Sequence, residues 1–192
     1  MSTTVNPKYF TLEEYLALER SSDARYEYLN GQIFLMSGGS HHHNWIISNI
    51  HTHVAVQLEG RECEVFSVNQ PIKVPAAPPY RYADGGVVCG EEKFEDFNGT
   101  DLLLNPIVIW EVLSHSTETY DRGDKFRFYK SIPTLREYLL ISQDRPRIEH
   151  YTRQSARKWD YEDIEGLESK LLLPSIGCTL EFSKVYRRIR FE

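Results

Sequence analysis

The chain has 192 residues, 41% hydrophobic and 26% charged, which is enough for one well-buried core; no Pro/Gly/Ser-rich linker divides it, so a single domain over residues 1–192 is expected. Its apolar runs are too short to span a bilayer, which excludes a membrane-embedded protein. The net charge of -6 opposes sequence-independent nucleic-acid affinity, so any such contact must use a local basic patch.

Met1–Pro7 lacks the basic region and apolar core of a secretory signal, and a cytoplasmic setting is expected. Thr11-Leu12-Glu13-Glu14 fits a capping box and predicts a helix over about 11–20. Asn30-Gly31, between two β-prone runs from Tyr26 to Met36, predicts a hairpin; Gly38-Gly39-Ser40 then breaks the chain. Ile46, Ile47, Ile50, Val54 and Leu58 recur at helical spacing and predict an amphipathic helix from His43 to about Leu58. Strand patterns follow over Glu64–Val74 and Arg81–Cys89, separated by a turn rich in proline, and the acidic stretch Glu91–Asp101 reads as a surface loop. A strand Ile107–Leu113, a helix from about Tyr120 to Ser131 and a strand Glu137–Ser142 come next. Short hairpin strands close the chain at Arg147–Tyr151, Lys158–Asp163, Lys170–Leu173 and Thr179–Phe182. The order predicts a mixed α/β (α+β) domain whose central sheet is flanked by helices. Cys63, Cys89 and Cys178 have no CxxC spacing and read as reduced packing residues, neither a thiolate zinc site nor a disulfide framework.

Glu111 interrupts the branched and aromatic run Ile107-Val108-Ile109-Trp110-Glu111-Val112-Leu113. Alternation puts it on one face with Ile107, Ile109 and Leu113, opposite Val108, Trp110 and Val112. A buried carboxylate needs a cation, a proton or several donors, and a lone one is most often held by a buried arginine or backbone donors. Asp84 and Lys125 add a second reading: two carboxylates can hold Mg²⁺ while an ammonium orients the attacking water and offsets phosphate charge.

Several segments together resemble the Uma-type "putative restriction endonuclease" family, a branch of the PD-(D/E)XK nuclease superfamily. They are Tyr26-Glu27-Tyr28-Leu29-Asn30-Gly31-Gln32-Ile33, His43 with Ile46, Tyr82-Ala83-Asp84, Glu111-Val112-Leu113-Ser114, Tyr120-Asp121-Arg122-Gly123-Asp124-Lys125-Phe126, Tyr129, and Ile132-Pro133-Thr134-Leu135-Arg136-Glu137-Tyr138. The resemblance implies a restriction-endonuclease-like sheet with additional N- and C-terminal β-hairpins. It also implies hydrolysis of DNA phosphodiester bonds with Mg²⁺ or Mn²⁺, and a possible homodimer. Asp84, Glu111 and the backbone carbonyl of Val112 become metal ligands, with Glu27 and His43 in support. The superfamily lysine belongs two residues after the glutamate, where this chain has Leu113; members lacking it there supply it from the next helix, which points to Lys125.

Ala83-Asp84-Gly85-Gly86 departs from the family's Pro-Asp followed by branched residues. Two glycines weaken a strand, allow a bulge or close approach, or mark a chain drifting from activity. Glu91-Glu92-Lys93 mimics an acid-x-lysine motif but lies in a charged stretch without a strand pattern. His41, His42, His43, His51 and His53 invite zinc, but at spacings zinc pairs do not favour. Lys184–Arg190 is the clearest basic cluster, able to track a phosphate backbone or to sit solvated. The acidic charge, the glycines and Leu113 leave a noncatalytic nuclease-fold module binding nucleic acid or protein as the alternative, and a two-carboxylate glycosidase as a weaker one.

Overall fold

A capping box and an Asn-Gly turn organise the start of the chain. In the computed structural model, which describes residues 9–35 and 39–191, the Thr11 hydroxyl accepts from Glu14 N at 3.2 Å and Glu14 Oε2 accepts from Thr11 N at 2.7 Å. Helix α1 (Leu12–Ser21) therefore begins where its first donors are satisfied. Strands β1 (Tyr26–Leu29) and β2 (Gln32–Leu35) pair antiparallel around Asn30 and Gly31, both at positive φ, as a type I′ turn requires. Tyr15 stacks on Tyr28 at 5.3 Å between ring centroids and joins α1 to the hairpin. The chain divides into two compact units, Met1–Gly38 and Gly39–Glu192. Met1–Pro7, the predicted hairpin end at Met36, and Gly38 lie outside the described residues.

In the second unit Ser40 caps helix α2 (His41–Leu58), its hydroxyl accepting from His43 N at 3.1 Å. There follow β3 (Cys63–Phe66), β4 (Pro71–Ile72), β5 (Arg81–Tyr82), β6 (Gly85–Cys89), β7 (Phe94–Phe97), β8 (Thr100–Leu103) and β9 (Pro106–Leu113). A helical segment runs through α3 (Glu118–Tyr120), a π-helical turn (Asp121–Lys125) and α4 (Phe126–Tyr129). Strands β10 (Glu137–Ser142), β11 (Arg147–Arg153), β12 (Trp159–Glu165), β13 (Lys170–Leu173) and β14 (Cys178–Glu181) precede α5 (Phe182–Val185). The central sheet has the order β12-β11-β10-β9-β6-β3, with β9 and β10 parallel and joined by the helical segment. A smaller sheet runs β5-β4-β8-β7. Among the described residues no helix is long and apolar enough to cross a membrane.

From Val108 to Leu113 the alternation along β9 partitions the core as its period of two requires; Ile107, expected on the Glu111 face, packs instead against the Val108 cluster, where the register with β6 shifts. Val108, Trp110 and Val112 pack with Ile46, Ile50 and Val54 of α2 and Phe182 of α5. Ile109 and Leu113 join Phe126, Tyr129, Ile132 and Tyr138 on the other face. Glu111 shares that second face, so the helical segment covers it.

Four expectations are corrected. The predicted strands 64–74 and 81–89 are each broken, their halves serving different sheets, and Asp84 falls at the second break between β5 and β6. Within the predicted loop Glu91–Asp101, β7 and the first half of β8 form a hairpin around Asn98 and Gly99, both at positive φ; before them Glu91, Glu92 and Lys93 remain exposed and outside any strand. The helix predicted over 120–131 starts at Glu118 and contains the π turn. Cys63 and Cys89 are directly opposed on β3 and β6 and form a disulfide, leaving Cys178 free and buried.

Gly85 and Gly86 are required by packing. A Cβ on Gly86 would lie 2.2 Å from the Val108 carbonyl oxygen, which is backbone and cannot rotate away. One on Gly85, whose φ is +154, would lie 2.2 Å from His51 Nε2 and 2.7 Å from Trp110 Nε1. Gly86→Ala should therefore destabilise the protein by about 1–3 kcal/mol, the usual cost of overpacking. Urea denaturation checks this, and an unchanged midpoint would mean that β6 and β9 are not this close.

Candidate active site

Two breaks in regular structure bring the predicted residues together. The chain leaves the small sheet at Tyr82 and enters the central sheet at Gly85, so Asp84 stands beside β9 rather than within a ladder. Its Oδ2 accepts from Val112 N at 2.7 Å, and its own N–H points at Glu111 Oε2 at 3.4 Å. On the opposite side the π turn presents Lys125, whose Nζ lies 2.9 Å from Glu111 Oε1 and 3.5 Å from Asp121 Oδ1. The Tyr129 hydroxyl approaches Glu111 Oε1 and the Tyr82 carbonyl, each at 3.1 Å. Asp121, Lys125 and Tyr129 follow at four-residue intervals, and all three are buried.

The electrostatics of this cluster are those of a crowded acidic pocket. Glu111 is 3% exposed. Burial pushes its carboxyl well above the ordinary carboxylate range, Lys125 opposes the shift, and the charges of Asp121 and Asp84 reinforce it. Burial, with the charges of Glu111 and Asp121, also pushes the Tyr138 hydroxyl well up. It stays protonated and donates to the Asp121 carbonyl at 3.1 Å.

His43 lies at the other edge of the cluster, its Nε2 3.3 Å from Asp84 Oδ2. Burial pulls its pKa down, but the hydrogen bond and charge of Asp84, the Val112 carbonyl and the Asp121 charge outweigh this and leave it raised. The ring thus faces the Asp84 carboxylate and the Val112 carbonyl. Its Nδ1 is buried against Gly39 with no hydrogen-bond partner among the described residues. His51 Nε2 lies 3.0 Å from the Asp84 carbonyl, and His53 Nε2 lies 3.1 Å from that of Thr179, so His43 and His51 meet Asp84 through its side chain and its backbone while His53 faces away from it.

Asp84, Glu111, Val112, Lys125 and His43 therefore share one place in the second unit. Glu27 lies on β1 of the first unit, opposite Phe34. Among the described residues no group of three or more His, Cys, Asp and Glu side chains is gathered for a metal ion. The donors that could hold one are the Asp84 and Glu111 carboxylates and the Val112 carbonyl, an all-oxygen set suited to a hard cation that keeps several waters. Sequence reasoning assigned no role to Asp121, Tyr129, Tyr138 or His51. The four-residue spacing of Asp121, Lys125 and Tyr129 was the available signal for the first two.

Residues 12–183 match the model of the Uma2 family, described as "Putative restriction endonuclease". The chain is similar to two uncharacterized proteins of Synechocystis sp., slr1290 and sll1609. It is 35% identical to the first over 182 residues (93% of this chain, 92% of that protein) and 33% identical to the second over 171 residues (89% and 96%). Its fold is similar to the crystal structure of a "putative nuclease belonging to DUF820" from Anabaena variabilis, with a TM-score of 0.72 over 92% of this chain and 97% of that one. At 18% identity that likeness is one of fold alone.

If Lys125 compensates Glu111, removing it strands a buried carboxylate. Lys125→Met should cost about 3 kcal/mol, and adding Glu111→Gln should recover most of the loss, because breaking a buried pair costs more than replacing both partners. A double-mutant cycle by urea denaturation reads the coupling. A value near zero would show that the two charges do not interact.

Proposed function

We propose that this chain, which belongs to the Uma2 family described as "Putative restriction endonuclease", is an endonuclease hydrolysing DNA phosphodiester bonds with Mg²⁺ or Mn²⁺ held by Asp84, Glu111 and the Val112 carbonyl. The observation that carries the proposal is the 2.9 Å approach of Lys125 Nζ to Glu111 Oε1 from a separate element. It supplies a cation beside the buried carboxylate although Leu113 occupies the usual lysine position and packs into the core.

An ion held by Asp84, Glu111 and the Val112 carbonyl would supply Lewis-acid polarisation of a phosphoryl oxygen and a lowered pKa for an attacking water. The chain's own groups do the positioning. Val112 N–H holds Asp84 at 2.7 Å, and the Tyr129 hydroxyl holds Glu111 at 3.1 Å, fixing two acids whose natural tendency is to repel. Lys125, steadied by Asp121, orients the water and offsets charge developing on the phosphate. His43 adds a second cationic group on the Asp84 side when protonated, able to meet a phosphate oxygen or to give a proton to the departing oxygen.

Cleavage of supercoiled and linear DNA with Mg²⁺, with Mn²⁺ and with EDTA, comparing the native protein with Asp84→Asn and Lys125→Ala, tests the proposal. The expected result is metal-dependent cleavage that each substitution lowers by about 10²-fold or more. Equal cleavage by all three proteins would identify a contaminating nuclease and remove the proposal. Binding of DNA without turnover would identify a noncatalytic module on the same scaffold.

A further inference from the structure

Helix α2 carries no acidic residue along its 18 positions, in a chain that has 28 acids. Its N-terminal turn reaches the candidate active site, where His43 lies 3.3 Å from Asp84. Farther along, Asn49, Thr52, His53 and Val56 line a groove whose other wall is Lys184 and Arg187. The basic tail singled out in the sequence is therefore laid against α2.

Specific bonds hold it there. Asn49, buried within α2, donates from its side-chain amide to the Val185 carbonyl at 3.0 Å and to the Arg187 carbonyl at 2.9 Å. Arg188 adopts φ +67, a left-handed conformation uncommon for a side chain of this size. Its guanidinium lies 5.9 Å from the centroid of the Trp45 ring, and Trp45 meets His41 edge-on at 5.8 Å. Arg188 thus sits toward the catalytic end of α2, with Lys184 and Arg187 farther along. All three cations are exposed. The acid at the end of β14, Glu181, lies 3.6 Å from Lys170. From His43 to His53 the helix advances about 15 Å, which matches about four phosphates of one B-DNA strand.

We propose that this groove is the track for the DNA backbone beside the catalytic site, with Lys184, Arg187 and Arg188 binding successive phosphates. DNA as the occupant rests on the nuclease reading above; the groove itself rests on charge and geometry. A local cationic surface on a chain of net charge -6 also orients an approaching polyanion toward this face; the acid beside it, Glu181, whose N–H donates to His53 Nε2 at 3.2 Å, is paired with Lys170.

The test reads binding and catalysis separately. Fluorescence anisotropy of a short labelled DNA duplex in EDTA, over a salt series, compares the native chain with Lys184→Glu/Arg187→Glu/Arg188→Glu. Hydrolysis of thymidine 5′-(p-nitrophenyl) phosphate with Mn²⁺ reports the catalytic site with a substrate too short to fill the groove. The expected result is at least a tenfold loss of DNA affinity and a salt slope shallower by about 2–3, near 0.9 per phosphate contact, with ester hydrolysis within twofold of native. Unchanged affinity and slope, or no DNA binding by the native protein, would overturn the groove whatever the ester assay shows. Failure of ester hydrolysis in the native protein would count against the catalytic reading alone, and tighter binding of an RNA duplex would overturn DNA as the occupant. If the triple variant melts early, Lys184→Gln and Arg187→Gln singly should each flatten the slope by about one contact, and no change in either would equally overturn the groove.

Discussion

The buried charge of Glu111 is the constraint around which the second unit is arranged. β9 is flanked by β10 and β6 within the six-stranded sheet, so a carboxylate on its inner face has no solvent to stabilise it and must be compensated by protein groups. Those groups come from elements distant in sequence: Lys125 from the π turn, Tyr129 from α4, and the Asp84 N–H from the break before β6. The compensation is partial: burial above all, with the charges of Asp121 and Asp84 added, keeps the carboxyl pushed upward against the opposing Lys125. Burying a carboxylate with only partial compensation is held at the expense of folded-state stability.

Placing Asp84 depends on the two glycines that follow it. In sequence they read as a weakness in a strand; in three dimensions they are the condition for close approach. Gly86 lets β6 pass within contact of the Val108 carbonyl, and Gly85 leaves room for the His51 ring to reach the Asp84 carbonyl at 3.0 Å. The T-shaped contact of His51 with Trp110, at 5.3 Å, then ties α2, β6 and β9 into one packed seam under the acid. Side chains at 85 or 86 would separate layers whose spacing sets the distance between the two carboxylates. The glycines thus belong to the packing beneath Asp84.

What was legible in the sequence was local. The capping box, the Asn30-Gly31 turn and the period-two partition of β9 act over a few residues, and each appears as read except at Ile107, beside the shift in register between β6 and β9. The hairpin around Asn98 and Gly99 carried the same turn signal as Asn30-Gly31 but was obscured by its acidic flanks: Phe94 and Phe97 are divided by Glu95 and Asp96, leaving no clean alternation. The Cys63–Cys89 pair depends on register between strands 26 residues apart, which spacing alone does not disclose. The π turn likewise has no sequence mark beyond the four-residue spacing of Asp121, Lys125 and Tyr129. It becomes visible only when those side chains are seen converging on Glu111.

Supplying the cation from a helix rather than from β9 changes what the site depends on. A lysine at position 113 would travel with Glu111 on the same strand and face, and would remain beside it however the helices moved. With Leu113 in the core, both Lys125 and Tyr129 arrive on one helical segment, docked through Phe126 stacked on Tyr138 at 4.8 Å and through the Tyr138 hydroxyl on the Asp121 carbonyl. Displacing that segment removes the ammonium and the hydroxyl together and exposes Glu111 at once. Docking of the helix and neutralisation of the glutamate are therefore one cooperative event, and the aromatic packing of Phe126 and Tyr138 acts on the acid site as directly as the charged groups that touch it.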